Sequence, residues 1–224
     1  MYDLHTHSVF SDGELIPAES ARRAQAAGYC GIAITDHADA SNLLWIIENQ
    51  LKFKESFNRY NKNFKVIIGV ELTHVLPEEI NTLSEKARNY GADIILVHGE
   101  TVVEPVLKNT NIAAIEAGVD ILAHPGLVTD EEIKLAIKNN VYMELTTRKG
   151  HSYTNAYVYK KSLELGCKCV INNDFHSPGD YLSINLINNV LLGLGASDKE
   201  IQNILENNKN IFLKKLEKRN GKKN

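Results

Sequence analysis

Short runs of β-branched and apolar residues recur along the chain, and four of them share one lead-in: helical periodicity, a glycine, then the run after a short gap or none. Ala26-Ala27-Gly28 precedes 31–35, Asn89-Tyr90-Gly91 precedes 94–97, Glu116-Ala117-Gly118 precedes 119–123, and Glu164-Leu165-Gly166 precedes 169–171. A glycine suits the left-handed position that closes a helix, where a Cβ is penalised. The uninterrupted apolar run that follows predicts a strand buried on both faces. Three more runs, at 2–7, 66–70 and 141–145, predict three further strands.

Helix starts are marked between them. Pro17 fits the first turn of a helix running to about Ala27, and Thr129-Asp-Glu-Glu132 and Ser197-Asp-Lys-Glu200 both match a capping box. From Ala38 to about Asn63 the pattern is longer and more polar, with Leu43, Leu44, Ile46, Ile47, Leu51, Phe53 and Phe57 as its apolar stripe. That stripe predicts one or two helices covering the sheet, and Trp45 is read with it as core. Strands alternating with helices predict parallel βα units closed by right-handed crossovers into an α/β, TIM-like barrel, with an open doubly wound sheet as the competing arrangement.

A length of 224 residues with no linker or low-complexity tract suits one domain, taken as 1–213. The remainder, 214–224, carries Lys214, Lys215, Lys218, Arg219, Lys222 and Lys223 and is expected to fray into solvent. A net charge of -3 gives no support to a membrane-surface or nucleic-acid-coating protein. The chain opens directly on a strand pattern, and no apolar run is long enough to span a bilayer, so a cytoplasmic location is expected. Cys30, Cys167 and Cys169 are three in number and lie in apolar runs, so at least one stays unpaired in any disulfide scheme, and Cys167-x-Cys169, with no second Cys pair to complete a zinc site, predicts buried strand thiols.

Chemistry in parallel α/β folds collects at the carboxyl ends of the strands. In an extended first strand Asp3, His5 and His7 share one face, so two imidazoles point the same way. The loop after them holds Asp12. Later strands end in Thr35-Asp36-His37, Gly69-Val70-Glu71, His98-Gly99-Glu100, His124-Pro125 and Asn173-Asp174-Phe175-His176, and the sixth offers Glu144 followed by Arg148, Lys149 and His151. Seven of the eight histidines lie at or just past a predicted strand end, with His74 slightly further along its loop. Imidazoles with two or three carboxylates and no thiolate are ligands for Zn, Mn or Fe, and their number suits two or three ions. Neighbouring divalent ions that share a water make hydroxide near neutral pH and clamp the attacked group, which is the chemistry of phosphate ester or amide hydrolysis. Arg148, Lys149 and His151 are the candidates for holding a substrate phosphate. P-loop, serine-hydrolase, His-Glu-x-x-His and dinucleotide-binding signatures are absent.

Asp3-Leu-His-Thr-His-Ser8, Ser11-Asp-Gly13, Thr35-Asp-His37, Gly69-Val-Glu71, His98, His124-Pro125 and Asp174-Phe-His176, in this order, resemble the PHP family, named for its polymerase and histidinol phosphatase members. The resemblance covers nearly the whole chain. It implies a distorted (β/α)7 barrel with three divalent ions (Zn, Mn or Fe). One ion would be held by His5, His7, Glu71 and Asp174, with Glu71 bridging to a second held by His98 and His124. A third would use Asp12, His37 and His176; some family members have His where this chain has Asp12, and a carboxylate there is still a ligand.

The resemblance further implies hydrolysis of a small phosphomonoester, as in a histidinol phosphatase, by a hydroxide bridging the first two ions. Glu71 and Asp174 then count as catalytic ligands, and the leaving alcohol takes its proton from metal-bound water, His151 or Asp36. The expected partner is a small phosphorylated substrate. The alternatives are a phosphodiesterase or 3'-5' exonuclease acting on nucleotides or single-stranded ends, a non-catalytic metal-binding domain, and an amidohydrolase. The last usually carries a bridging lysine after its fourth strand, where this chain has His98.

Overall fold

The computed structural model describes residues 1–180 and 183–220. Its strands are β1 (Tyr2–Asp3), β2 (Gly31–Ile34), β3 (His37–Ala38), β4 (Lys65–Leu72), β5 (Ile94–His98), β6 (Ile121–Ala123), β7 (Tyr142–Thr146) and β8 (Cys169–Asn172). Every pairing is parallel. Seven strands run β1-β2-β4-β5-β6-β7-β8 around a nearly closed barrel, and the two-residue β3 pairs with the end of β4 outside that path. The helices are α1 (Pro17–Ala26), α2 (Leu43–Tyr60), α3 (Pro77–Tyr90), α4 (Thr110–Glu116), α5 (Asp130–Asn139), α6 (Asn155–Leu165), α7 (Ile184–Gly193) and α8 (Asp198–Asn220). The distorted seven-stranded α/β barrel is therefore the architecture.

Two apolar layers follow from the period of two along each strand. Val66, Ile68, Val70 and Leu72 of β4 join the large cluster between strands and helices, whereas Ile67 joins a smaller cluster with Leu4, Ala33, Ile94, Leu96, Ile121 and Val170. Continuing the second set upward along the same faces brings Glu71 after Ile67 and Gly69, and His98 after Ile94 and Leu96. The barrel interior is thus apolar low down and polar at the carboxyl end.

Local signals act as expected at most helix ends. Thr129 and Glu132 form both halves of a capping box, Ser197 and Glu200 bond reciprocally, and Gly91 and Gly166 close α3 and α6 at φ 115° and 81°. The 38–63 stretch resolves into β3 and the single helix α2. Trp45 is not core: it is 54% exposed, in edge-to-face contact with Phe10.

Three expectations need correction. The first strand, predicted over 2–7, leaves the ladder after Asp3. The Asp3 carboxylate accepts from the His5 N–H at 3.1 Å, and Thr6 makes only an isolated bridge to Phe175. Side chains close the seam between β8 and β1: Leu4 N–H donates to Asn172 Oδ1 at 2.9 Å, and Asn173 Nδ2 donates to Asp3 Oδ2 at 2.7 Å.

The basic segment from 214 does not begin where order ends, because α8 runs through it to Asn220. Ile211 and Phe212 plug the amino end of the barrel, Leu213 and Leu216 pack beside them, and Lys215 Nζ is 2.5 Å from Asp120 Oδ1. Helical spacing puts those apolar residues on one face, which a count of lysines conceals. The Lys218 and Arg219 side chains, with Lys222 and Lys223, lie outside the described residues. Finally, Cys169 is buried and Cys167 half-buried, but Cys30 is exposed. Among the described residues no helix is long and apolar enough to cross a membrane.

Candidate metal centre

Nine side chains from seven segments of chain converge at the carboxyl mouth of the barrel. His5 and His7 arrive from the extended segment after β1, their ring centroids 5.0 Å apart, so the shared face expected of them holds although the strand ends earlier. Asp12 comes from the loop that follows, His37 from β3, Glu71 from the end of β4, His98 from the end of β5, His124 from the turn after β6, and Asp174 and His176 from the turn after β8.

Glu71 stands at the middle. Its Oε2 is 3.3 Å from His5 Nε2, 3.6 Å from His7 Nε2 and 2.9 Å from His37 Nδ1, while its Oε1 is 3.4 Å from His124 Nε2. Asp174 Oδ1 lies 3.3 Å from His7 Nε2, 3.7 Å from His5 Nε2 and 3.4 Å from His176 Nδ1. Asp12 Oδ1 lies 3.5 Å from His37 Nε2 and 3.4 Å from His176 Nε2. Two donors sharing an ion at its usual bond length stand about 2.8–3.6 Å apart, so most of these separations are those of co-ligands.

Residues 3–215 match the family model of the PHP domain. The chain belongs to the PHP domain family. This PHP domain is 46% identical over 216 residues to the uncharacterized protein MJ1295 of Methanocaldococcus jannaschii, covering 96% of this chain and 99% of that one. It is 28% identical over 225 residues to DNA polymerase/3'-5' exonuclease PolX of Bacillus subtilis, covering 91% of this chain but only 38% of PolX. Among solved structures it resembles a chain of archaeal ribonuclease P with mature tRNA, at TM-score 0.69 and 18% identity over 95% of this chain and 90% of that one, a likeness of fold.

Bare polar atoms test whether this PHP domain's residues fit divalent ions. Seven of the twelve buried side-chain atoms without a hydrogen-bond partner among the described residues belong to the cluster: His5 Nε2, both nitrogens of His7, both oxygens of Glu71, His124 Nδ1 and Asp174 Oδ1. Leaving such an atom bare costs about 1–3 kcal/mol. Nitrogen lone pairs and carboxylate oxygens without thiolate are the donor set of Zn, Mn or Fe, and the separations suit them, so the residues fit.

The electrostatics are those of a tight mixture of acids and imidazoles. Burial would raise the carboxyls of Glu71 and Asp174, but His5 and the neighbouring rings hold both well below the usual carboxylate range. Burial lowers His5, and the carboxylates of Glu144, Glu71 and Asp174 overcome it and hold the ring well above its usual value. Burial and the adjoining His37 ring push His7 down to about 3, and burial also takes His98 to about 3.

The remaining predicted residues divide. His151 lines the cavity over the cluster, stacked on His124 with centroids 4.1 Å apart and with Nδ1 2.9 Å from Thr101 Oγ1. Arg148 lines the same cavity, but its guanidinium already donates to Asp180 Oδ2 at 3.0 Å. Lys149 sits further out, in an adjoining hollow with Glu14, Ser177 and Asp180. Asp36 is not in the cavity at all. Its carboxylate is buried and accepts from Ser8 N–H, the Ser8 and Ser11 hydroxyls and Gln50 Nε2, so it braces the loop that carries Asp12 instead of meeting a substrate.

Two acids take roles that the sequence did not assign. Glu144 accepts from His5 Nδ1 at 2.8 Å, Asn172 Nδ2 at 2.7 Å and the His124 N–H at 3.1 Å. The available signal was a carboxylate in the middle of an apolar strand, which is buried only with partners. Glu104 enters the cavity from the loop after β5; it carried no signal, since it lies six residues past the strand end.

Proposed function

We propose that this PHP domain is a metal-dependent phosphoesterase whose substrate is a small phosphomonoester of the histidinol phosphate type. The observation that carries the reading is the convergence of His5, His7, Glu71, Asp174, His98, His124, Asp12, His37 and His176, with seven buried atoms lacking a hydrogen-bond partner among the described residues. Three divalent ions of the Zn, Mn or Fe type would be held by His5, His7, Glu71 and Asp174, by Glu71, His98 and His124, and by Asp12, His37 and His176. Bound there, such ions supply a water of lowered pKa and positive charge for the phosphoryl oxygens.

The chain's own groups do the rest. Glu144 keeps a proton on His5 Nδ1, so that Nε2 faces Glu71. Asp180 steers the Arg148 guanidinium over the cavity, where it meets phosphate oxygens. Water adds to phosphorus, the ester P–O bond breaks, and the departing oxygen takes a proton, for which His151 is the candidate beside the cavity. Asp36, with its oxygens committed to the loop, is dropped from that role.

A cavity of about 270 Å³ supports a small substrate. The second reading is a nucleotide or strand-end phosphodiesterase, favoured by the match to PolX. Protein stripped of metal and reloaded with Mn or Zn decides between them. The assay set is histidinol phosphate, nucleoside monophosphates and bisphosphates, and a labelled single strand. Turnover of the small monoesters above the strand supports the first reading, and faster release of mononucleotides replaces it with the second. No turnover of any ester leaves a non-catalytic metal-binding domain.

A further inference from the structure

Glu104 lies in the loop between β5 and α4, outside the nine expected ligands, yet three imidazoles converge on its carboxylate. Oε2 is 3.0 Å from His98 Nε2 and 3.3 Å from His74 Nε2, and Oε1 is 3.4 Å from His151 Nε2.

The contact with His98 has only a few chemical explanations. His98 Nδ1 is 3.2 Å from the carbonyl oxygen of Gly99, a group that only accepts, so the ring's proton sits on Nδ1 and Nε2 presents a lone pair. A carboxylate oxygen 3.0 Å from that lone pair sets two acceptors face to face, which is favourable only with a cation between them. A proton there would either charge a ring that is 3% exposed and in contact with the imidazoles of His74, His124 and His151, or have to stay on a carboxyl that is 37% exposed to water. A divalent ion satisfies both atoms without that cost, and their separation is within the range for two ligands of one ion.

His74 bears an independent mark. Its backbone is left-handed at φ 52°, a conformation that non-glycine residues adopt at a cost, and His124 and Asp174 at the same mouth share it with φ 29° and 53°.

We propose that Glu104 is a further ligand of the divalent ion held at His98, and that His74 positions it by donating its Nε2 hydrogen to the same carboxylate oxygen. The inference rests on the metal-centre reading above. It makes the loop from 99 to 109, whose Val102, Val103 and Leu107 are exposed, a flap tied to the centre through its own acid. Glu104 is 37% exposed and lies in neither helix nor strand, so replacing it leaves the core intact.

The test is metal binding, read apart from activity. Chelator-stripped full-length protein is titrated with Mn²⁺ and separately with Zn²⁺ by calorimetry, and metal retained after gel filtration is counted by mass spectrometry. Glu104→Gln and Glu104→Ala should weaken one binding phase about tenfold or more, the same phase that His98→Ala removes, and His74→Ala should weaken it less. Glu104 variants that match wild type in affinity and retained metal overturn the ligand, and an unchanged His74→Ala overturns the positioning role. A wild-type chain that takes up no metal at all would instead remove the centre itself.

Discussion

His5 Nδ1 stands 2.8 Å from Glu144 Oε1 across 139 residues of chain, and this contact decides which nitrogen of His5 faces the cluster. A carboxylate accepts, so Nδ1 donates, and the ring that gives up its other proton to a metal presents the Nε2 lone pair toward Glu71 and Asp174. Removing the acceptor frees the ring to adopt the other tautomer and to rotate. Glu144→Ala should therefore lower metal affinity by about 10- to 100-fold while every expected ligand remains in place. Calorimetric titration of the stripped variant checks this, and wild-type affinity would mean that the contact orients nothing.

Glu71 touches His5, His7, His37 and His124, and its two carboxylate oxygens face different imidazoles. Glu71→Ala or His5→Ala should reduce phosphoester hydrolysis by roughly a thousandfold, about 4 kcal/mol of transition-state stabilisation. Both residues sit above the apolar interior, so far-ultraviolet circular dichroism should stay close to wild type. Turnover that persists in metal-stripped wild type would refute the proposed chemistry outright.

Metal uptake should depend on pH with a definite sign. Burial lowers His5, His37 and His124, but the acids around them outweigh it and raise all three. A raised ring keeps its proton to higher pH in the metal-free protein, and a ligating imidazole must be neutral, so uptake expels protons. Affinity should rise with pH until those rings have titrated and fall on acidification. Titrations at pH 7 in two buffers of different ionisation enthalpy would reveal the released protons; equal heats in both would contradict the assignment.

Phe212, 1% exposed, seals the barrel floor against Gly31, where an added Cβ would collide with its ring. Phe212→Ala should cost about 3–5 kcal/mol in urea unfolding, because the cavity opens at the centre of the barrel and the surrounding strands are fixed by their ladder. A loss below 1 kcal/mol would show that α8 is dispensable to the fold.

The seven-strand path and the identity of the mouth were legible in the sequence because both are local. Apolar runs after helix-closing glycines mark strands, and the residue that follows each run lies at a strand's carboxyl end by position alone. Motifs at those ends also carried the family. The closing seam was not legible: Asn172, Asn173 and Asn208 bond across 36 residues or more, and nothing in an asparagine's neighbours announces that. Nor was the role of α8, since its lysines dominate the composition while Phe212 and Leu216 share the face that meets the barrel.

Within the cluster the same division holds. Chain pattern alone put His98 and Glu71 at the carboxyl ends of their strands and His5 and His7 on one face, because strand ends and a period of two are properties of the backbone. Which acids can hold a cation and which only brace others was settled by folding. Asp36 and Glu71 both lie in strand-end motifs, yet one is consumed by Ser8, Ser11 and Gln50 and the other is left bare among imidazoles. That difference comes from partners brought together by the closed barrel, and a hydrogen bond is an interaction between places in space, which linear order does not specify.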